Sequence, residues 1–155
     1  VRPHGWPLVF VVDTNILVYA VNQASPDHTR CSALLENWRA QTSAWFLTWN
    51  ICYEFLRVTT HPGIFPSPLS AAQAWSFLDA LLASPGVGVF EPTERHRTVV
   101  AEVLQELPHL AGNPMYDAQT AVLMREHGVR RIYTRDTDFH RFPFLEPVDP
   151  TVRQV

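Results

Sequence analysis

Short apolar runs alternate along this 155-residue chain with longer segments of helical periodicity. Residues 8–12 form a continuous aliphatic and aromatic run, which is typical of a strand buried on both faces of a parallel sheet. Further strands are predicted at residues 45–48, 87–90 and 131–134. Helices are predicted at 15–21, from Pro26, at 50–59, from Ser70, from Thr93 and at 116–127. This alternation predicts an α/β fold whose parallel sheet carries helices on both faces.

Four tryptophans lie on the apolar stripes of these helices or at strand ends: Trp38, Trp45, Trp49 and Trp75. Tryptophan rings at exposed sites can stack on RNA bases, but positions on an apolar stripe favour packing in the core. We therefore predict that these four side chains are core residues.

The charge balance limits the kinds of function that this chain supports. Basic residues number 12 and acidic residues 15, so the formal net charge is −3 and no overall positive field is available to hold a polyanion. All the basic residues are arginines, and the absence of lysine excludes mechanisms that need a Schiff-base, P-loop or general-base lysine. A role with nucleic acid would therefore need a local source of positive charge.

The two cysteines and the chain length indicate the class of protein. Cys31 and Cys52 fall on two different predicted helices, with no CxxC pair to complete a zinc site, and we predict that both are reduced core thiols. No apolar run reaches the roughly 18 residues of a membrane span, and no signal peptide is evident, so we expect a cytoplasmic protein. The length predicts a single domain over residues 1–155.

Three acidic residues follow the ends of predicted strands or begin a helix. Asp13 comes directly after the first strand, Asp136 lies two residues past the fourth strand, and Asp117 falls in the first turn of the preceding helix. Ligands of open parallel sheets bind beyond the carboxyl ends of the strands, where the strand order reverses. For Asp117 alone, a favourable position near a helix N-terminus is explanation enough.

Glu54 is predicted to lie on the core-facing side of its helix, between Ile51 and Val58. A carboxylate buried there needs a partner, and Arg57 is predicted to lie toward another flank, so a metal ion is the favoured partner. If Glu54 meets the three aspartates, their mutual repulsion would require cations or bound protons. A set of carboxylate oxygens selects Mg²⁺ or Mn²⁺ over zinc, and such ions support hydrolysis of phosphodiesters.

Four segments of the chain together resemble the acidic motifs of the PIN domain. They are Asp13-Thr14-Asn15, Glu54 within residues 50–57, Asp117-Ala118, and Thr134-Arg135-Asp136-Thr137-Asp138-Phe139. Their order and spacing, with the neighbouring residues 55–62, 68–70, 112–113, 126–128 and 139–142, are similar to the VapC toxins of bacterial toxin-antitoxin pairs. The resemblance implies a three-layer domain with a parallel sheet of about five strands.

This resemblance also implies an activity, a cofactor and partners. The implied activity is that of an endoribonuclease dependent on Mg²⁺ or Mn²⁺, acting on RNA, inhibited by a VapB-type antitoxin and often homodimeric. The implied metal ligands and water-activating groups are Asp13, Glu54, Asp117 and Asp136. The implied supporting residues are Asn15, Thr134 and Asp138, of which Asp138 could instead bind the metal directly or cap a turn.

Several interpretations stay open at this point. Arg57, Arg135 and Arg141 lie close in sequence to the acidic motifs and are either RNA phosphate contacts or solvated surface. The proline-rich segment 61–68 is a loop, serving as a spacer or as a lid. Apolar residues on the N-terminal helices could form a patch for an amphipathic antitoxin segment.

Other functions fit parts of the same pattern. Phosphotransfer enzymes also place aspartates at strand ends, but they rely on a lysine that this chain lacks. The remaining alternatives are a PIN-like binding module without catalysis and a nuclease that acts on DNA.

Overall fold

The computed structural model describes residues 9–152, which form one five-stranded parallel sheet with helices between the strands. The strands are β1 (Phe10–Val12), β2 (Trp45–Leu47), β3 (Val87–Val89), β4 (Arg131–Tyr133) and β5 (Glu146–Val148). The helices are α1 (Thr14–Val21), α2 (His28–Ala40), α3 (Trp49–Thr60), α4 (Ala71–Leu82), α5 (His96–Glu106) and α6 (Pro114–Glu126), with a 3₁₀ helix at Thr137–Arg141. The predicted α/β architecture is confirmed.

The strand order is β3-β2-β1-β4-β5, so β1 occupies the centre of the sheet. Val11 pairs with Phe46 of β2 on one side and with Ile132 of β4 on the other. A central strand is covered on both faces, which explains why all three residues of β1 are apolar and buried. The first predicted residue of this strand, Leu8, lies outside the described residues.

The chain reverses its direction across the sheet after β3. It moves outward from β1 to β2 and β3, and then returns past them to β4. Because parallel crossovers are right-handed, helices α1 to α4 cover one face and α5 and α6 cover the other. Contacts of α1 with α2 and α3, of α3 with α4, and of α5 with α6 agree with this division. The expected three layers result.

Local sequence signals account for several helix ends. Ser70 caps α4 through a capping box with Gln73, as its side chain and that of Gln73 each accept from the other residue's backbone N–H. Gly128 ends α6 with a φ of 73°, a conformation that suits glycine. The predicted start at Thr93 is wrong, because the Thr93 hydroxyl accepts from the Arg95 N–H in a turn and α5 begins only at His96.

The tryptophan prediction is half right. Trp38 and Trp45 are buried and pack with the ring of Phe10, and the Trp45 indole N–H donates to the Trp38 carbonyl. Trp49 and Trp75 are instead 39% and 42% exposed. Trp75 lies on the apolar stripe of α4 and Trp49 at the start of α3, and the neighbouring elements cover each ring only in part.

Both cysteines are buried and free, in α2 and α3, which confirms the predicted reduced thiols. Burial raises the pKa of each thiol to about 11, so both remain protonated at neutral pH. Across residues 9–152, no helix combines the length and apolar character needed to cross a membrane. Segment 61–68 is a loop, as predicted, and is anchored by the buried ring of Phe65.

Candidate active site

A cleft of about 810 Å³ opens at the carboxyl ends of β1 and β4, where the strand order reverses. It is lined by five carboxylates, those of Asp13, Glu54, Asp117, Asp136 and Asp138. The four acids predicted to converge therefore border one cavity, together with Asp138. Residues far apart in the sequence reach it from β1, α3, α6 and the segment after β4.

Asp13 lies at the base of this cleft and is 8% exposed. It caps α1, with Oδ1 accepting from the Thr14 N–H at 2.8 Å, while Oδ2 accepts from the Thr134 hydroxyl at 2.7 Å. Burial, with the charges of Asp136 and Glu54, raises the pKa of Asp13 to about 6, against the lowering effect of the two hydrogen bonds. Asp13 is thus held in one orientation in an environment that disfavours its charge.

Asn15 and Thr134 are the residues that hold Asp13. The Asn15 side-chain amide N–H lies 3.3 Å from both Asp13 Oδ2 and the Thr134 hydroxyl, and its Oδ1 accepts from the Arg135 backbone N–H at 3.1 Å. Thr134 also accepts from the Asp136 N–H at 2.9 Å. These contacts tie the end of β1 to the end of β4. A supporting role for Asn15 and Thr134 at a metal site remains a prediction.

Asp117 lies in the first turn of α6, where its carboxylate faces the cleft. Burial, followed by the charges of Asp136, Asp13, Asp138 and Glu54, raises the pKa of Asp117 to about 7. A carboxylate in the first turn of a helix is ordinarily stabilised by the helix dipole. Here burial and the neighbouring acids together raise the pKa instead, so a helix-terminus role alone does not account for Asp117.

Asp117, Asp136 and Asp138 form the tightest group of acids in the described part of the chain. One carboxylate oxygen from each lies within 4.8 Å of the other two. Asp136 caps the 3₁₀ helix by accepting from the Asp138 backbone N–H at 2.8 Å, which turns both side chains toward α6. Asp138 therefore lies beside Asp117 and Asp136, a position compatible with direct metal binding, and its role remains a prediction.

The environment predicted for Glu54 is wrong. Its side chain is 44% exposed, and Arg57 donates to its two carboxylate oxygens at 2.6 and 3.1 Å. The buried stripe of α3 runs through Ile51, Cys52, Phe55 and Thr59, which places Glu54 and Arg57 together on its border. Glu54 still lines the cleft, but its negative charge is paired with the positive charge of Arg57.

All three arginines near the acidic motifs form ion pairs. Arg141 lies 3.4 Å from Asp138, and Arg135 binds Asp27 and lies 3.4 Å from Asp149. Arg57, bound to Glu54, is the one arginine that lines the cleft within residues 9–152. An RNA contact by any of the three remains a prediction.

Sequence reasoning missed several residues that line the cleft. Tyr53 and Tyr116 border it, and the Asn50 side-chain amide donates to the Tyr116 carbonyl at 3.2 Å, joining α3 to α6. A signal was present, since each tyrosine directly precedes an acid of the cleft, Glu54 or Asp117.

Comparison with known proteins places this geometry in a family. The family model for the PIN domain matches residues 10–145. The chain belongs to the PIN domain family. Its curated relatives include Ribonuclease VapC48 of Mycobacterium tuberculosis, 30% identical with 89% of this chain and 94% of the relative covered. Ribonuclease VapC37 of the same organism is 33% identical, with 85% and 90% covered.

Solved structures support the PIN domain fold. VapBC2 from Rickettsia felis, bound to a DNA fragment from its promoter, aligns with a TM-score of 0.61 and 20% identity over 92% of this chain and 100% of that chain. VapC20 from Mycobacterium tuberculosis, a Sarcin-Ricin loop cleaving toxin, aligns with a TM-score of 0.59 and 20% identity, covering 84% and 92%. The sheet order and the layers described above are thus those of a PIN domain.

Proposed function

We propose that this PIN domain protein is a metal-dependent endoribonuclease, the toxin of a toxin-antitoxin pair, which hydrolyses RNA phosphodiester bonds with metal-activated water. The observation that carries the proposal is the convergence of five carboxylates in one cleft at the carboxyl ends of β1 and β4. The names of the VapC relatives supply the substrate class, RNA. The proposal assigns the activity to a single domain over residues 1–155.

The donor set fits a hard divalent cation. Its close members, Asp117, Asp136 and Asp138, offer only carboxylate oxygens, within 4.8 Å of one another. Burial, and after it the charges of neighbouring carboxylates, raise the pKa values of Asp13 and Asp117, and a bound cation would stabilise the charged form of both groups. We assign Mg²⁺ or Mn²⁺ to Asp117, Asp136 and Asp138, with Asp13 as a further ligand at the base of the cleft and Glu54, paired with Arg57, at the border of the site. When bound, such an ion activates water and stabilises the charge that develops on the phosphate.

The chain's own groups prepare this chemistry. Thr14, Asn15 and Thr134 hold Asp13 in one orientation before substrate arrives, which avoids the cost of ordering it during the reaction. The first turn of α6 fixes Asp117 opposite Asp136.

The similar solved structures indicate the kind of protein partner that this chain binds. The solved structures from Rickettsia felis and Salmonella typhimurium are VapBC complexes, and this supports a VapB-type antitoxin as the protein that restrains the toxin here. We also propose a homodimer, as implied by the resemblance to VapC toxins.

The experiment that tests the function is RNA cleavage by purified protein free of antitoxin. We expect cleavage with Mg²⁺ or Mn²⁺ and none with EDTA. Asp13→Asn and Asp117→Asn should each reduce the rate at least about 100-fold, because each removes a charged group that the metal requires. Asp79→Asn, at an exposed acid of α4 outside the cleft, is the matched control and should cut as wild type does.

Two outcomes would contradict the proposal. Cleavage that survives in EDTA, or in both cleft variants, would remove the metal site from the mechanism. Metal-dependent cutting of single-stranded or duplex DNA, with RNA left intact, would change the substrate class.

A further inference from the structure

Tyr53 and Tyr116 are the most exposed large hydrophobic side chains within residues 9–152, at 69% and 66%. Single exposed hydrophobic residues are common on protein surfaces and need no explanation. These two, however, border the same cleft, each one residue before an acid of the site. Their exposure is therefore concentrated where substrate must pass.

The two rings stand on helices that are joined at the cleft. Tyr53 lies on α3 and Tyr116 in the first turn of α6. The Asn50 side-chain amide, one turn before Tyr53, donates to the Tyr116 carbonyl at 3.2 Å. This hydrogen bond joins the starts of the two helices, so both rings border the cleft that holds the acids, one on each helix.

The charges that line the cleft contribute little to RNA binding, so contacts of another kind must supply the binding energy. Five carboxylates line the cleft, and Arg57, its one arginine in the described residues, is bound to Glu54. A polyanion therefore gains little attraction from protein charges beyond the bound metal. Stacking of bases on aromatic rings stabilises single-stranded nucleic acid without using charge.

We infer that Tyr53 and Tyr116 are stacking platforms for the two bases that flank the scissile phosphate of a single-stranded RNA segment. This inference rests on the proposed function and deepens it, since it names the form of RNA that the site accepts. The rings touch the bases and not the reacting atoms, so they position the substrate. Base stacking tolerates any base, and the pair therefore selects unpaired RNA rather than one particular sequence.

Steady-state cleavage of a single-stranded RNA oligonucleotide tests this role. Tyr53→Ala and Tyr116→Ala should each raise KM about 5- to 100-fold, with kcat nearly unchanged. Tyr53→Phe and Tyr116→Phe keep the ring and should restore the wild-type KM. Trp75→Ala, at another exposed aromatic residue that does not line the cleft, is the matched control and should leave KM unchanged.

A second measurement separates this inference from the proposed function. Oligonucleotides carrying 2-aminopurine are mixed with wild-type protein and Mg²⁺ in a stopped-flow instrument, and fluorescence is followed before cleavage. Stacking should quench the fluorophore, the added alanine substitutions should abolish the quenching, and the phenylalanine substitutions should preserve it. If wild-type protein fails to cut RNA, the proposed function fails, while the quenching still decides whether the rings bind bases.

Two results would overturn the inference. One is an unchanged KM and unchanged quenching in both alanine variants. The other is loss of self-association in sedimentation, with KM and quenching retained, which would assign the rings to contact with a second copy of the chain.

Discussion

Two buried carboxylates in this PIN domain protein have opposite environments. Glu126, near the end of α6, has a fully buried side chain that accepts from the Thr93 backbone N–H and lies 2.7 Å from His96 Nδ1. Burial raises its pKa, but the hydrogen bonds from Thr93 and His96 outweigh burial, and the pKa falls below the ordinary value. Asp13 also accepts hydrogen bonds, yet its pKa rises to about 6.

The difference lies in what surrounds each group. Glu126 meets donors and a histidine, which anchor the segment before α5 to the end of α6. For Asp13, burial is the largest effect and outweighs the hydrogen bonds, and the charges of Asp136 and Glu54 add to it; the pKa of the neighbouring Asp117 is raised to about 7 in the same way. A buried acid with satisfied hydrogen bonds stabilises the fold, whereas acids gathered against one another stabilise it only when a cation joins them.

The largest effect on stability is expected at Glu126. Glu126→Ala leaves the Thr93 N–H and His96 without their acceptor and should lower the free energy of unfolding by about 2 to 4 kcal/mol. Urea titration measures the loss. Cleavage per folded molecule should stay at the wild-type level, since Glu126 does not line the cleft.

Glu102→Ala provides the control for that substitution. Glu102 is half-exposed and lies 3.9 Å from Arg125, so its loss should change stability by less than about 1 kcal/mol. Equal stability of the Glu126 and Glu102 variants would show that the buried hydrogen bonds of Glu126 add no more to the free energy of unfolding than an exposed ion pair does.

A smaller effect is expected at Thr134, which supports Asp13. Thr134→Val keeps the shape but removes the hydroxyl that donates to Asp13 Oδ2 at 2.7 Å. We expect the cleavage rate, or the affinity for Mn²⁺, to fall about 10- to 100-fold. Thr134→Ser, which keeps the donor, should retain most of the activity, and failure of this variant would point to packing instead.

The smallest effect is expected for the stability of metal-free Asp117→Asn protein. The folded-state pKa of Asp117, about 7, lies above its unfolded value, so this carboxyl favours folding most at low pH and loses that contribution as pH rises through about 7. Asparagine does not ionise, so the variant does not lose this contribution to stability as the pH rises. After a discount for partial exposure, the variant should be about 1 to 2 kcal/mol more stable than wild type at pH 8.

This gain should shrink as the pH falls below 7 and be nearly gone near pH 4, where the folded wild-type carboxyl is protonated and the unfolded one, with its ordinary pKa of 3.8, is about half protonated. Thermal unfolding in EDTA, compared at the two pH values, measures it. Added Mg²⁺ should shift the balance back toward wild type, because the ion binds the charged site. A variant less stable than wild type at pH 8 in EDTA would mean that Asp117 is not under repulsion.

Much of the fold could be predicted from short segments of the sequence. The apolar run that became β1, the capping box at Ser70 and the glycine that ends α6 can each be recognised from a few consecutive residues. The site acids could also be found, because Asp13 and Asp136 follow strands whose carboxyl ends share one edge of the sheet.

Tertiary structure alone decided how each side chain is surrounded. Glu54 is paired with Arg57 rather than buried, Asp138 joins Asp117 and Asp136, and Trp75 remains exposed on an apolar stripe. Periodicity tells which residues share a helix face, but which part of that face is covered depends on neighbours from distant segments. The chain by itself thus determined its elements and its acids, and packing between elements determined which charges meet.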